Sequence, residues 1–321
     1  MAVTGQRKHV LVVMEDKRMD YFVYSIGIKH LFEPGAGGSA MEMRSLPSPM
    51  GKIDKPFAYP ECFDFALAGD GATLVGISGR KRTVLYDTRS GKSSTGPELQ
   101  YSKPNGTHVI PMGPRFYVLE RRLTGYEQGN PTGEDCAIFL PAAGLRRASS
   151  SWRALPEPPA DFRCLNDFQI TCDLAAYVTA GARIWVSARD RGTYTFDTAS
   201  RAWRKEGDWE LPFHNRALFL PELDNLCFGL CSKTRHLVAV DIRQSPPVVR
   251  YSLVYLGDGK FCIAWSGFMD DVDGHREHFI QLIAVQLVKT SILSGDKKLR
   301  MVNLKGCCYK MPTDGRMARA F

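Results

Sequence analysis

Gly71-Ala72-Thr73-Leu74-Val75, followed by Thr83-Val84-Leu85-Tyr86-Asp87-Thr88-Arg89-Ser90, returns without a gap further along the chain. The second copy is Gly181-Ala182-Arg183-Ile184-Trp185, followed by Thr193-Tyr194-Thr195-Phe196-Asp197-Thr198-Ala199-Ser200. Residue 71 matches residue 181, an offset of 110. Gly, Ala, Thr, Asp, Thr and Ser recur in place, and Leu74/Ile184 and Tyr86/Phe196 are conservative exchanges. Each copy reads as two strands: apolar β-formers from Ala72 to Ile77, an Arg-rich turn, then alternation from Thr83 to Tyr86. Asp-Thr-x-Ser ends the second strand, because short Asp and Ser side chains bond the nearby backbone. An offset of this size suits two units of about 55 residues.

Further units phase on these copies. Arg201 to Arg204 reads as an outer strand around Trp203, and Ser151 to Pro156 resembles it around Trp152. Strand pairs are expected at Asn225–Leu230 with His236–Ile242, and at Arg115–Glu120 with Cys136–Leu140. Two more fall at Lys260–Trp265 with His278–Leu287, and at His9–Met14 with Asp20–Ile26. Leu-Pro punctuates several units, at Leu46-Pro47, Leu155-Pro156 and Leu211-Pro212, with Pro97-Glu98-Leu99 a degenerate form. Helical periodicity is absent. Many short strands with turn signals between them indicate a sandwich, barrel or propeller, and the recurrence selects the propeller. A pair of β-sandwiches would leave the ungapped offset unexplained. The expectation is an all-β, six-bladed β-propeller formed by residues 1–321 as a single domain, with 313–321 a flexible tail. Its ring closes when the His9–Met14 strand joins the final unit, His278–Met311.

Composition fits a soluble globular protein, with 44% hydrophobic and 24% charged residues. The net charge of +8 would favour acidic surfaces. Its cations are dispersed in turns such as Arg80-Lys81-Arg82 and Arg146-Arg147, which argues against a nucleic-acid footprint. The apolar run Val10 to Met14 is too short for a signal-peptide core. No stretch approaches the roughly 20 apolar residues of a spanning helix. Nine cysteines in such a chain read as reduced thiols. The expectation is a monomer in the cytosol or nucleus, away from membranes.

The Tyr86-Asp87-Thr88 and Phe196-Asp197-Thr198 strands, with Trp203 and the Leu-Pro signature, resemble kelch-type repeats of plant proteins. The chain is similar, from about Lys8 to Met311, to a grass-expanded family of kelch-like proteins whose domain has no known function. That resemblance implies a kelch-like propeller, related to the kelch part of plant F-box proteins. Two departures stand out. Kelch repeats carry a Gly-Gly pair where this chain has Ser78-Gly79 and Ala188-Arg189. The chain is also expected to enter a strand by about His9, so that no F-box is expected ahead of it.

The stretch Asp270 to His278 is the most chemically loaded. Asp271, Asp273, His275 and His278 are its candidate metal ligands, since carboxylates and imidazoles suit a divalent ion. Plant specifier proteins, which resemble this fold, use a carboxylate/His iron site. The competing reading is a solvated hairpin centred on Asp273-Gly274. Cys227, Cys231 and the Cys307-Cys308 pair read as buried structural thiols, because zinc needs tight pairwise spacings. Nucleophile elbows and phosphate-binding loops are missing. Trp185, Trp203, Trp209 and Trp265 are expected to fill space between sheets, with ligand contact the alternative.

The expected function is therefore a non-catalytic protein-binding propeller without a cofactor, recognising its partner through blade loops. Those loops are Glu33–Met41, Gly51–Pro60, Thr124–Asp135 and Met269–Arg276. The alternatives are a metal-assisted enzyme resembling the specifier proteins and a weak nucleic-acid binder.

Overall fold

The computed structural model describes residues 8–16, 20–32, 42–53, 62–69, 71–103, 106–121, 136–139, 151–162, 174–223, 225–231, 237–242, 252–270, 276–291, 297–310 and 316–320. Among the described residues, regular structure is strand throughout, apart from 3-10 turns at Lys29–Leu31 and Ala160–Phe162. No helix there is long and apolar enough to cross a membrane.

The chain forms two compact units, Met1–Asp54 with Ser252–Phe321, and Lys55–Tyr251. The first unit opens with β1 (His9–Glu15), β2 (Tyr21–Gly27), β3 (Glu42–Ser45) and β4 (Gly51–Ile53). The second begins with β5 (Phe63–Leu67), β6 (Thr73–Ser78), β7 (Thr83–Asp87) and β8 (Lys92–Thr95). Next come β9 (Thr107–Met112), β10 (Arg115–Glu120), β11 (Cys136–Phe139) and β12 (Trp152–Ala154). It continues through β13 (Leu174–Ala180), β14 (Arg183–Ala188), β15 (Gly192–Asp197) and β16 (Ala202–Gly207). It ends with β17 (Asn215–Leu220), β18 (Leu226–Leu230) and β19 (Leu237–Val240). The first unit resumes with β20 (Ser252–Gly257), β21 (Lys260–Asp270), β22 (Arg276–Ser291), β23 (Lys297–Lys310) and β24 (Arg316–Ala320).

In the Lys55–Tyr251 unit, β5 to β8 and β9 to β12 are four-stranded antiparallel meanders, the form of a propeller blade. β13 to β16 make a third, and β17 to β19 follow. These last two share one sheet because β13 and β17 pair in parallel from Ala176↔Asn215 to Thr179↔Leu218. Burial explains the sequence of each strand. The second strand, Thr73–Ser78, is buried at all but its first residue and reads as one apolar run. The outermost strand, Lys92–Thr95, is Lys-Ser-Ser-Thr and mostly exposed, a composition that blunts an edge. Between the first two meanders lies a core of Val75, Ile77, Leu85, Val109, Phe116, Val118 and Trp152.

The 110-residue repeat has a local cause. Asp87 Oδ1 accepts from the Arg89 and Ser90 amides at 2.8 and 2.9 Å. Asp197 Oδ1 accepts from the Ala199 and Ser200 amides, both at 3.0 Å. Thr88 and Thr198 hydroxyls each donate back to the carbonyl opening the preceding strand, Ala72 O at 3.1 Å and Ala182 O at 2.8 Å. Each turn is thus closed by two side chains, its Asp and its Thr, which is the local reason for the recurring Asp-Thr pair.

The Trp and Pro signals belong together. Trp152 Nε1 on β12 donates to Pro97 O at 3.0 Å, in the segment leaving the preceding meander. Trp203 Nε1 on β16 donates to Pro156 O at 2.9 Å, again in the segment leaving the meander before. In these two cases the outer-strand indole pins its meander to the exit of the one before, while its ring fills the gap.

In the other unit, β24, β1, β2 and β4 form one sheet and β20 to β23 with β3 form another. β1 pairs with β2 along its whole length, from His9↔Gly27 to Glu15↔Tyr21. Its other edge pairs with β24, from Val12↔Ala320 to Glu15↔Arg316. Residues 316–320 are therefore a strand and not the flexible tail expected from their polar sequence. β1 takes its partner from that tail rather than from His278–Met311, whose edge strand β23 pairs in parallel with β3. β21 and β22 also run longer than expected, pairing from Lys260↔Gln286 to Asp270↔Arg276. Gly51–Ile53, expected in a loop, is β4.

Candidate functional site

β14, β15 and β16 lie side by side, so residues opposite one another share a face. The registers Trp185↔Thr195 and Thr195↔Arg204 set these three residues in one row. Arg183, two residues before Trp185, falls on the same face and opposite Asp197. β16 then bulges: Tyr194 pairs with Lys205 but Thr193 pairs with Gly207, leaving Glu206 as the extra residue. A bulge re-aims the side chain it carries. Glu206 accepts from the Thr195 hydroxyl at 2.6 Å and from Arg204 Nη2 at 2.7 and 2.8 Å, through both carboxylate oxygens.

This face and the next meander bound a groove of about 900 Å³. Trp185 and Trp209 stack in it, with ring centroids 6.4 Å apart and planes inclined by 29°. Trp209 is half-buried and Trp185 is only 9% exposed. Gly207 permits that arrangement, because a Cβ there would stand 2.5 Å from Trp209 Nε1. Phe219 on β17 and Asp241, just after β19, line the opposite side.

The electrostatics are local. Arg183 Nε donates to Asp197 Oδ2 at 3.4 Å. The Ser200 and Ala199 amides hold the Asp197 carboxyl below its ordinary range, so it stays ionised at neutral pH. Burial, helped by the nearby Asp241 charge, pushes the Cys227 thiol up to about 12. Burial alone does the same to Cys262. Burial, then the Cys307 neighbour, also raises the Cys308 thiol. Cys227 and Cys262 are therefore protonated at neutral pH and pack as small apolar groups, which agrees with the structural reading of the first.

Asp271, Asp273 and His275 lie outside the described residues. His278 stands on β22 opposite Phe268, and its side chain lies outside the described set. Groups of three His, Cys, Asp or Glu side chains suited to a metal do not occur among the described residues. Of the four tryptophans singled out in the sequence, Trp185 and Trp209 come together in the groove. Trp203 packs on Phe162 and Phe196 instead, with centroids 5.9 and 5.1 Å away. Only the strand of Trp265 is described, where it pairs with Gln281. Sequence reading missed Arg183, Arg204 and Glu206. The available signal was the repeat itself, where Thr73, Val75 and Ser94 of the first copy become Arg183, Trp185 and Arg204 of the second.

No curated protein matches the chain. Among solved structures it is similar to the computationally designed Ika8 protein, at 8% identity over 91% of this chain and 77% of that one, with a TM-score of 0.43. It is similar to the β-propeller domain of Cps50 (Swd1) from Myceliophteria thermophila, at 8% identity over 93% and 73% of the two chains, with a TM-score of 0.35. A chain of the Mitotic Checkpoint Complex gives 12% identity over 92% and 76%, with a TM-score of 0.43. At these scores the fold reading rests on the sheets themselves, which are the antiparallel blades of an all-β propeller. A family model described as "Protein of unknown function (DUF1668)" matches residues 7–309. The chain belongs to that family.

Proposed function

We propose that this protein is a non-catalytic binding module that recognises another protein along the edge of its blades. The groove between the β14–β16 face and the next meander supports this reading. It gathers Trp185, Trp209, Arg183 and Arg204, and Trp and Arg are the residue types that most often carry interface energy. A relationship to plant kelch proteins, six blades forming one monomeric domain, and residence in the cytosol or nucleus extend the same reading. A fold of this class does not itself specify a ligand, so the groove is the place to test.

The test uses the full chain as bait in a native lysate, beside Trp209→Ala and Arg204→Ala. Trp209 is half-buried and Arg204 is 61% exposed, so both variants should stay folded. The expected result is a partner captured by the wild type and lost by both variants, at unchanged circular dichroism. A partner retained at full strength by both would remove the groove from the binding surface.

A further inference from the structure

We infer that the β22–β23 ribbon is a docking surface for double-stranded DNA, separate from the groove and independent of the protein-binding reading. Charge locates it. β22 and β23 hold seven Lys and Arg residues and one acidic residue, Glu277. Their balance of +6 compares with +8 for the whole chain.

Register divides the ribbon into two parts. From Phe279 to Gln286, β22 lies between β21 and β23, and Ile280, Leu282 and Ala284 belong to the core. Beyond Gln286 the β21 pairing ends, and β3 meets β23 only at Cys307–Lys310. Val288–Ser291 and Lys297–Arg300 therefore pair with each other and, among the described residues, with no other strand. This two-stranded span is about 13 Å long. It carries Lys289, Lys297, Lys298 and Arg300, and no acidic residue. The pairs Val288↔Arg300 and Thr290↔Lys298 place Arg300 and Lys298 on one face, about 7 Å apart. The pairs Lys289↔Leu299 and Ser291↔Lys297 place Lys289 and Lys297 on the other face, as diagonal neighbours. Strand pairing is what gathers them. The cations dispersed in turns, such as Arg80-Lys81-Arg82, belong to the other unit.

A lysine on an open edge discourages strand pairing, but protein surfaces ordinarily intersperse both signs. Cations on both strands and both faces make a field that attracts a polyanion. Their distribution also selects the polyanion. A segment that lies on an anionic membrane separates its cations from its apolar residues. Here each face mixes them, Val288 with Arg300 and Leu299 with Lys289. An acidic protein surface would meet one face of the ribbon. A nucleic-acid groove meets both at once, because its two walls are phosphate strands. The major groove of B-DNA, about 12 Å wide, admits a two-stranded β-ribbon. That of an RNA duplex is too narrow.

Fluorescence anisotropy of the full chain with a labelled DNA duplex of about 20 base pairs tests the inference. Binding should fall with salt at a log–log slope of about −3 to −4, as four neutralised phosphates require. Lys289→Gln, Lys297→Gln, Lys298→Gln and Arg300→Gln combined should weaken it at least about tenfold at about 0.1 M salt and flatten the slope. Arg89, Lys92, Arg153 and Arg189 are exposed on the other unit. Their combined replacement by Gln removes the same charge and should change binding by less than about twofold, since screening confines the effect. Lys298→Gln with Arg300→Gln, and Lys289→Gln with Lys297→Gln, should each weaken binding several-fold at unchanged circular dichroism and melting. Equal losses in the ribbon variant and its charge-matched control would overturn the inference. So would no binding, a loss confined to one face, or tighter binding to an RNA duplex, polyglutamate or phosphatidylserine vesicles than to the DNA.

Discussion

The β6–β8 blade and the β14–β16 blade share a frame and differ in what fills it. Both end their third strand on an Asp whose carboxylate accepts two amides and a Thr whose hydroxyl reaches back to the second strand. Each is joined to the β9–β12 meander between them by an outer-strand indole, Trp152 for the first and Trp203 for the second. Yet the row Val75, Leu85, Ser94 closes the first inter-blade space, whereas Trp185, Thr195, Arg204 and the bulged Glu206 leave the second open as a groove. Turn chemistry therefore fixes where a blade begins and ends, and the face between turns is available for other work. Exchanging residues between the copies tests that division.

The largest effect is expected at Trp185. Its ring is only 9% exposed and belongs to the cluster of Val178, Leu211, Phe213 and Cys227. Trp185→Ala should cost about 3–5 kcal/mol by denaturant melting, the usual range for truncating a buried ring. A cost below about 1 kcal/mol would mean that the indole serves the groove alone and is not part of the core.

Gly76→Val comes next, since Val186 stands at the matching place in the second copy. A Cβ at Gly76 would meet Phe65 Cε1 at 2.6 Å and Val84 Cγ2 at 2.7 Å. Overpacking of this kind should cost about 1–3 kcal/mol. A neutral result would show that the Phe65 ring moves aside, and that the two faces are more interchangeable than their packing implies.

These two positions also show what the sequence could and could not convey. The turns were legible because Asp-Thr-x-Ser is a local device whose partners lie within a few residues or across one hairpin. Inner and outer strands were legible because burial on both faces demands a continuous apolar run. The groove was not legible, because it depends on a bulge at Glu206 and on Phe219 and Asp241, brought in from another meander. No periodicity records either. β24 was hidden for a related reason. Arg316-Met317-Ala318-Arg319-Ala320 has no β-branched residue, and its strand state comes from pairing with β1 across the length of the chain.

The two turn aspartates should behave alike in acid. The Ser90 amide foremost, then that of Arg89, lowers Asp87 from 3.8, and the Ser200 and Ala199 amides do the same to Asp197. A carboxyl depressed in the folded state contributes stability that is complete above its unfolded value. That contribution disappears as pH falls through the folded value. Acid melting below about pH 4 should therefore include both turns, and Asp87→Asn and Asp197→Asn should each flatten the curve there. If only one flattens it, the shared turn is not equivalent in the two blades.

The smallest effect is expected at Tyr86, where the second copy carries Phe196. The Tyr86 ring is fully buried, and its hydroxyl has no hydrogen-bond partner among the described residues. Burial first, and the neighbouring Asp87 charge second, raise its pKa above 10.0. A buried donor without an acceptor loses its bonds to water and regains none. Tyr86→Phe should therefore stabilise the protein by about 1 kcal/mol or less. The sign extends to alkaline pH. A tyrosine with a raised folded pKa contributes stability that is present below its unfolded value and is lost as pH rises through the folded one. Phenylalanine has no such loss, so the advantage of the variant should widen above about pH 10. Destabilisation at neutral pH would show that the hydroxyl is held by a bond, and that the first blade uses this position as the second does not.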